Sequence, residues 1–236
     1  MTAVGDILRN LLDHAGDGGT LPELLCQDAC RKLPMDHAGI CVMNEAGTIE
    51  LTVGSDPTAV QLEELQLTMG EGPCMDAFES SRIALYPDIG IAGAERWPAY
   101  AGGAAEMGVR AMFSFPLRIG GIRFGVLDLF RSEPGSLTED ELTTALHYVD
   151  AAVLILLHLQ AVGTLGDGEP ATGLETPYEI AFQGHAELHQ ATGMVAVQAG
   201  VGLASALVLL RARAFASNRS LADVALDVVQ RRLDFR

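Results

Sequence analysis

The sequence predicts an α+β domain, a five- to six-stranded and mainly antiparallel sheet with bracketing helices, followed by an all-α bundle of three short helices. Three observations carry this. Between residues 1 and 162, helical periodicity at both ends encloses short alternating segments separated by turn residues. Residues 163–177 hold four Gly and two Pro in fifteen positions and follow neither period, the composition of a linker. Residues 178–236 carry only helical pattern, broken at Gly200-Val201-Gly202.

The elements follow in order. Val4, Ile7, Leu8, Leu11 and Leu12 recur at the spacing of an amphipathic helix. Thr20 and Glu23 form a capping-box pair that opens a second helix, with Leu21, Leu24, Leu25, Ala29 and Leu33 on its inner face. Ala38 to Met43 and Thr48 to Val53 read as two strands flanking the turn Asn44-Glu45-Ala46-Gly47. Asp56-Pro57 is a cap followed by proline at the first helical position, and opens a helix to about Met69. After the turn-rich Gly70-Glu71-Gly72-Pro73, Ile83 to Tyr86 predicts a third strand. Val109 to Leu117 and Arg123 to Arg131 form a hairpin through Gly120-Gly121, and Thr138 with Glu141 caps a long helix to about Val162. In the last segment, helices are expected over Tyr178–Ala199, over Leu203–Phe215, and from a Ser220 cap to Leu233.

Fifteen Lys and Arg against 31 Asp and Glu give a formal net charge of −16, which argues against a general binder of nucleic acid or acidic membrane. The acidity is uneven. Residues 1–177 carry 9 basic and 26 acidic groups, whereas residues 178–236 carry 6 and 5, so only the short C-terminal part is suited to approach a polyanion. The longest apolar stretch, Ala151 to Leu165, is interrupted by His158 and Gln160, and no basic region precedes an apolar one near Met1; a cytoplasmic protein without a membrane span is expected. Cys26, Cys30, Cys41 and Cys74 are too few and too irregular for a disulfide scaffold and read as core thiols. Cys26 and Cys30 lie one helical turn apart without a second Cys/His pair to complete a metal site, so no metal is expected. Cys74 follows a Gly-Pro turn at a helix start, a place where a thiol can be activated as a redox sensor.

The run Gly70-Glu71-Gly72-Pro73-Cys74-Met75-Asp76-Ala77, then Tyr86-Pro87-Asp88, Arg96-Trp97-Pro98, Phe113-Ser114-Phe115-Pro116-Leu117 and Gly125-Val126-Leu127-Asp128-Leu129, resembles the GAF domain of actinobacterial regulators. The resemblance covers about residues 20–162 and implies a sensor fold whose loops close over a pocket for a small molecule. Its ligand or cofactor stays unknown, since such domains share architecture while binding different molecules or none. The candidate pocket residues are Cys74, Met75, Trp97, Phe113, Phe115 and Leu127, with Phe113, Phe115, Leu127 and Leu129 alternating onto one sheet face under the loops from Gly70 and Trp97. Ordinary core packing accounts for the same alternation.

Leu188-His189-Gln190-Ala191-Thr192-Gly193-Met194-Val195, Ala206-Leu207, Leu210-Arg211, Ala214 and Asn218-Arg219-Ser220-Leu221-Ala222-Asp223-Val224-Ala225 resemble an ANTAR domain over about residues 183–233. The resemblance implies an antitermination module that binds paired RNA hairpins in a nascent leader, with Gln190, Ala191, Gly193, Ala206, Arg211, Ala214, Asn218 and Arg219 as the RNA-binding positions. Read without it, Gln190, Ala191 and Gly193 make a small uncharged patch open to close approach, and Arg211, Arg213 and Arg219 supply guanidinium groups suited to phosphate or loop bases. Taken without the resemblance, helix packing for Ala191 and Gly193 and a solvated surface for the arginines are the favoured explanation.

The expected organisation is therefore a sensor and dimerisation domain at 1–162, a linker at 163–177 and an RNA-binding domain at 178–236. The apolar faces of Ile7, Leu8, Leu11, Leu12 and of Val149, Val153, Leu156, Leu157 suggest a homodimer through a helix bundle. No catalytic residue is expected. Two rival functions remain: a regulator whose last helices dock on a protein, favoured by the apolar Leu203, Leu207, Val208, Leu209, Leu210 and Phe215, and a free methionine sulfoxide reductase built on the same sensor fold.

Overall fold

A computed structural model describes residues 3–14, 19–44, 49–161, 177–217 and 219–235, with the backbone alone for 161 and 177–186. The expected linker, apart from Pro177, lies outside the described residues, as do Glu45 to Thr48 of the first hairpin and Asn218. Two helices open the chain, α1 (Val4–Asp13) and α2 (Leu21–Lys32). Both halves of the α2 capping box are made: the Glu23 amide donates to Thr20 Oγ1 at 3.4 Å and the Thr20 amide to Glu23 Oε2 at 2.8 Å. Strands β1 (His37–Met43) and β2 (Ile49–Gly54) then lead into α3 (Pro57–Met69), where the Asp56 side chain accepts from the Thr58 and Ala59 amides. Gly70 ends α3 in the left-handed conformation at φ +69°.

The segment from 73 to 106 is more helical than the sequence predicts: α4 (Pro73–Ser80), the short β3 (Ala84–Tyr86), α5 (Ile89–Arg96) and α6 (Pro98–Glu106). β4 (Ala111–Ile119) and β5 (Ile122–Arg131) make the second hairpin, and α7 (Glu139–Ala161) follows, its capping box closed by Thr138 and Glu141. The strands form one antiparallel sheet in the order β2-β1-β5-β4-β3. The last three helices are α8 (Pro177–Ala199), α9 (Leu203–Ser217) and α10 (Leu221–Val229). The third stops four residues short of the expected Leu233 because Arg231 turns to φ +59° and the Arg232 and Leu233 amides fold back on the Asp227 carbonyl.

Helices cover both faces of the sheet, so the strands other than the short edge strand β3 are buried on two sides. Ile40, Val42, Phe113, Phe115, Leu117, Leu127 and Leu129 share one core with Ile7 and Leu11 of α1, Leu24 and Leu25 of α2, and Tyr148, Ala152 and Leu156 of α7. The alternate residues Cys41, Met43, Met112, Val126 and Phe130 point the other way, into a core with Leu62 of α3, Cys74 and Phe78 of α4, Trp97, and Tyr100 and Ala104 of α6. That second core continues into Leu188, Ala191, Val195, Ala206, Leu210, Ala214 and Val224 of the three C-terminal helices.

The helix faces expected to meet a second chain are largely used within this one: Ile7, Leu11, Val153 and Leu156 are buried, whereas Leu12 is exposed. Helix α7 has the length and mean hydropathy of a membrane span, but Ala145, Tyr148, Ala151, Ala152, Ile155 and Leu156 are laid against the sheet and the first two helices. That is how a core helix of this composition satisfies its apolar side.

Candidate functional site

Polar residues interrupt the second core at one place. Cys41 on β1, Thr52 on β2, Ser114 on β4 and Asp128 on β5 project from the sheet toward Glu63 and Gln66 of α3 and Cys74 in the first turn of α4; all seven are buried. Strand pairing fixes the sheet side, since Cys41 stands opposite Thr52, Gly39 opposite Asp128, and Ser114 opposite Asp128. Helix geometry fixes the other side, because Glu63 and Gln66 are three residues apart and share a face. Gly39 makes the close approach possible: a Cβ there would collide with the Glu63 carboxylate.

The hydrogen bonds converge on Gln66. Its Oε1 accepts from the Cys74 amide at 2.9 Å, which sets the amide's orientation, and its Nε2 then donates to Glu63 Oε2 at 3.1 Å and Asp128 Oδ2 at 3.4 Å. The Cys41 thiol also donates to Glu63 Oε2, at 3.1 Å. Three buried oxygens, Glu63 Oε1, Asp128 Oδ1 and Ser114 Oγ, make no well-formed hydrogen bond among the described residues, although Ser114 and Glu63 stand close enough to Asp128 to favour its charged form. Each such group costs about 1–3 kcal/mol, and more if charged. The other buried acid, Asp28, is a contrast, since Tyr148, Asn10 and Arg31 all donate to it.

Burial, then the neighbouring Asp128 and Cys41, push the Glu63 carboxyl well above its ordinary range. Burial raises the Asp128 carboxyl too, opposed by the polar side chains around it. The Cys74 thiol is pushed up by burial and then by Cys41. A helix N-terminus would lower it, so desolvation outweighs the activation expected of that position. Tyr100, buried beside this cluster, is raised for the same reason, and its hydroxyl ends on Met112 Sδ at 3.1 Å. The site holds acids without a cation: none of the described ion pairs reaches Glu63 or Asp128.

A GAF-domain family model matches residues 20–156. The chain is a member of the GAF-domain family. Among solved structures it is similar to the GAF domain of a phosphoenolpyruvate-protein phosphotransferase from Coxiella burnetii, with 20% identity and a TM-score of 0.52, covering 69% of this chain and 97% of that one. It is also similar to the GAF domain of the Acinetobacter phosphoenolpyruvate-protein phosphotransferase, with 16% identity and a TM-score of 0.51, covering 69% and 98%. At these identities the likeness is one of fold. No curated protein matches the chain.

The GAF domain's second core corrects the expected pocket. Cys74 and Trp97 lie in it and Met75 packs against it, but Phe113, Phe115 and Leu127 face the opposite side of the sheet, against α1, α2 and α7. The six residues therefore do not line one cavity. Parity along β4 and β5 decides this, since Ser114 and Asp128 occupy the alternate positions that turn toward α3 and α4. Trp97 is an anchor, packed edge-on against Tyr86 at 4.6 Å between ring centres. The sequence assigns no site role to Glu63, Gln66 or Asp128, although a carboxylate inside the apolar run Val126-Leu127-Asp128-Leu129 is a visible break in pattern.

The C-terminal positions divide as well. Ala191, Ala206 and Ala214 are fully buried and serve helix packing, whereas Gln190 is exposed, and a Cβ at Gly193 would meet nothing within 4 Å. Arg219 is exposed and paired with Asp227 at 2.7 Å. Arg211 is engaged by the GAF domain: its Nε donates to the Leu67 carbonyl at 2.9 Å, and its guanidinium lies over Gly70. That carbonyl belongs to the last turn of α3, where backbone acceptors have no partner within the helix and the dipole favours a cation. Arg211 thus caps, from α9, the helix that carries Glu63 and Gln66.

Proposed function

We propose that this chain is a signal-responsive cytoplasmic regulator in which the GAF domain gates a C-terminal RNA-binding unit of the ANTAR type, promoting transcription antitermination by binding paired hairpins in nascent leaders as a homodimer. The observation that carries the reading is the Arg211 contact. A guanidinium of the kind that binds phosphate or stacks on loop bases is held instead by the C-terminus of α3. Helix α3 turns Glu63 and Gln66 toward the buried cluster, while Gln61, Glu64, Leu65, Thr68 and Met69 line a groove of about 400 Å³ with Ala214, Phe215 and Arg219. A ligand that moves α3 at one face changes the docking of α9 at the other, and so the availability of Arg211. Two such units in a dimer would engage two hairpins and raise avidity without new contacts.

The test is equilibrium binding of the full chain, at fixed salt, to an RNA with two adjacent short hairpins, to the single hairpin and to a scrambled-loop control. Preference for the paired hairpins, lost in an Arg211→Ala, Arg219→Ala variant, supports the reading. Absence of any preference contradicts it and favours a second reading, a protein partner docking on α9, for which Leu203, Val208 and Phe215 are 63%, 60% and 66% exposed.

A further inference from the structure

Three groups of the buried cluster have the separation of a metal site. One ligand atom from each of Cys41, Glu63 and Cys74 lies within 4.8 Å of the others, and Cys41 Sγ is 3.1 Å from Glu63 Oε2. Asp128 stands against the same group through the Gln66 amide that it shares with Glu63. The second oxygens of the two carboxyls, Glu63 Oε1, which lies over Gly39, and Asp128 Oδ1, are buried and have no hydrogen-bond partner among the described residues. No Arg, Lys or His is paired with either carboxylate among them. Two thiols and two carboxyls are thus enclosed together with no cationic side chain paired to either carboxyl among the described residues.

We propose that Cys41, Cys74 and Glu63, with Asp128 completing the set, bind a divalent cation of zinc-like character. The donors select it: thiolates disfavour magnesium and calcium, and carboxylates disfavour copper(I), leaving a borderline ion that accepts both. Tetrahedral bonds of about 2.0–2.3 Å place ligand atoms roughly 3.3–3.8 Å apart, so Cys41, Glu63 and Cys74 need adjust by no more than about 1.5 Å, while Asp128, outside that group of three, has to turn further to join them. Binding expels the thiol protons, and any proton held between the carboxyls, to solvent. A disulfide between Cys41 and Cys74 is the competing chemistry, but it would leave Glu63 and Asp128 facing one another without a cation. Bound metal would tie β1, β5, α3 and the start of α4 to one point, which makes the position of α3 depend on the ion. The metal site does not rest on the RNA reading, and its test involves no RNA.

The experiment uses the full chain freed of metal, with zinc added to the folded protein and also during refolding, so that burial does not bar entry. The expected result is one zinc per chain, and with cobalt the thiolate charge-transfer and intense visible bands of a tetrahedral site. Cys41→Ser and Cys74→Ser each weaken binding by about 100-fold or more, while a Cys26→Ser, Cys30→Ser variant binds as wild type does. Gln66→Met removes no ligand but takes away the side-chain amide that orients both carboxylates and holds the Cys74 backbone amide, and weakens binding by about 10- to 100-fold. The proposal is overturned if the wild-type chain takes up no stoichiometric zinc by either route. It is overturned equally if the Cys41 and Cys74 variants bind as tightly as wild type, or if mild peroxide links the two cysteines while cobalt gives no thiolate band.

Discussion

Replacing Arg211 with alanine isolates the contact that joins the two parts of the chain. The side chain makes one charge-assisted hydrogen bond, 2.9 Å to the Leu67 carbonyl, at the negative end of α3. A hydrogen bond involving a charged group contributes about 1.5–3 kcal/mol, and a cation at a helix C-terminus about 0.3–1 kcal/mol. Burial of the guanidinium opposes both and holds its pKa below the ordinary value. The low end, about 2 kcal/mol, is therefore the appropriate figure, roughly a 30-fold shift toward the undocked arrangement at 1.4 kcal/mol per factor of ten. Amide hydrogen exchange reads this directly: amides in the last turn of α3 and along α9 whose exchange requires undocking should speed up by roughly 30-fold in Arg211→Ala. Arg213→Ala, at an exposed position two residues away, should leave them unchanged. Equal exchange in wild type and Arg211→Ala would show that the contact holds nothing together, and the gating argument would fail with it.

Other outcomes follow from the same structure. Phe113→Ala should cost about 3–5 kcal/mol in denaturant unfolding, since Phe113 is fully buried; because it faces α1, α2 and α7, any zinc affinity should persist in the molecules that remain folded. Thr20→Ala opens the capping box at α2 and should cost about 1 kcal/mol, with no effect on the cluster on the far sheet face. Asp36 is held below the usual carboxylate range, chiefly by the Ser132 amide at 2.6 Å, against burial. Its folded pKa is depressed, so its contribution is complete above the unfolded value of about 3.9 and is lost as pH falls through the folded one. The stability difference between wild type and Asp36→Asn should accordingly be greatest near neutrality and vanish in acid melts.

Period and caps made most of the fold legible. Asp56-Pro57, Thr20 with Glu23, and Thr138 with Glu141 each mark a helix start that the structure keeps, and the Gly120-Gly121 turn joins the expected strands. Helices α5 and α6 were not legible because Ile89 to Glu106 is rich in Gly and Ala and shows little apolar periodicity. Their only signals are the Asp88 cap and Pro98 at a first turn. The site was harder to read for a different reason. Both faces of the sheet are buried, so the apolar alternation of Phe113, Phe115 and Leu127 establishes a strand without saying which face holds a pocket. The informative residues are polar ones in apolar company: Ser114 and Asp128 on adjacent strands, and Glu63 and Gln66 one helical turn apart. Their convergence on Cys41 and Cys74 depends on long-range pairings, such as Gln66 with Asp128 62 residues apart, which no local pattern encodes.

Gly70→Ala tests the central claim, that the GAF domain restrains the proposed RNA-binding unit through α3, without altering any group that would touch RNA. A Cβ at Gly70 would sit 2.6 Å from Nη1 of Arg211, at a φ of +69° that alanine adopts at a cost of about 1–2 kcal/mol. The measurement is the affinity of the folded Gly70→Ala chain for the paired-hairpin RNA, beside wild type and Arg211→Ala. Release of α9 should tighten binding, by up to roughly 30-fold if docking through Arg211 is the restraint, whereas Arg211→Ala should gain nothing because the released group is gone. Affinity equal to or weaker than wild type in a correctly folded Gly70→Ala chain would contradict the account.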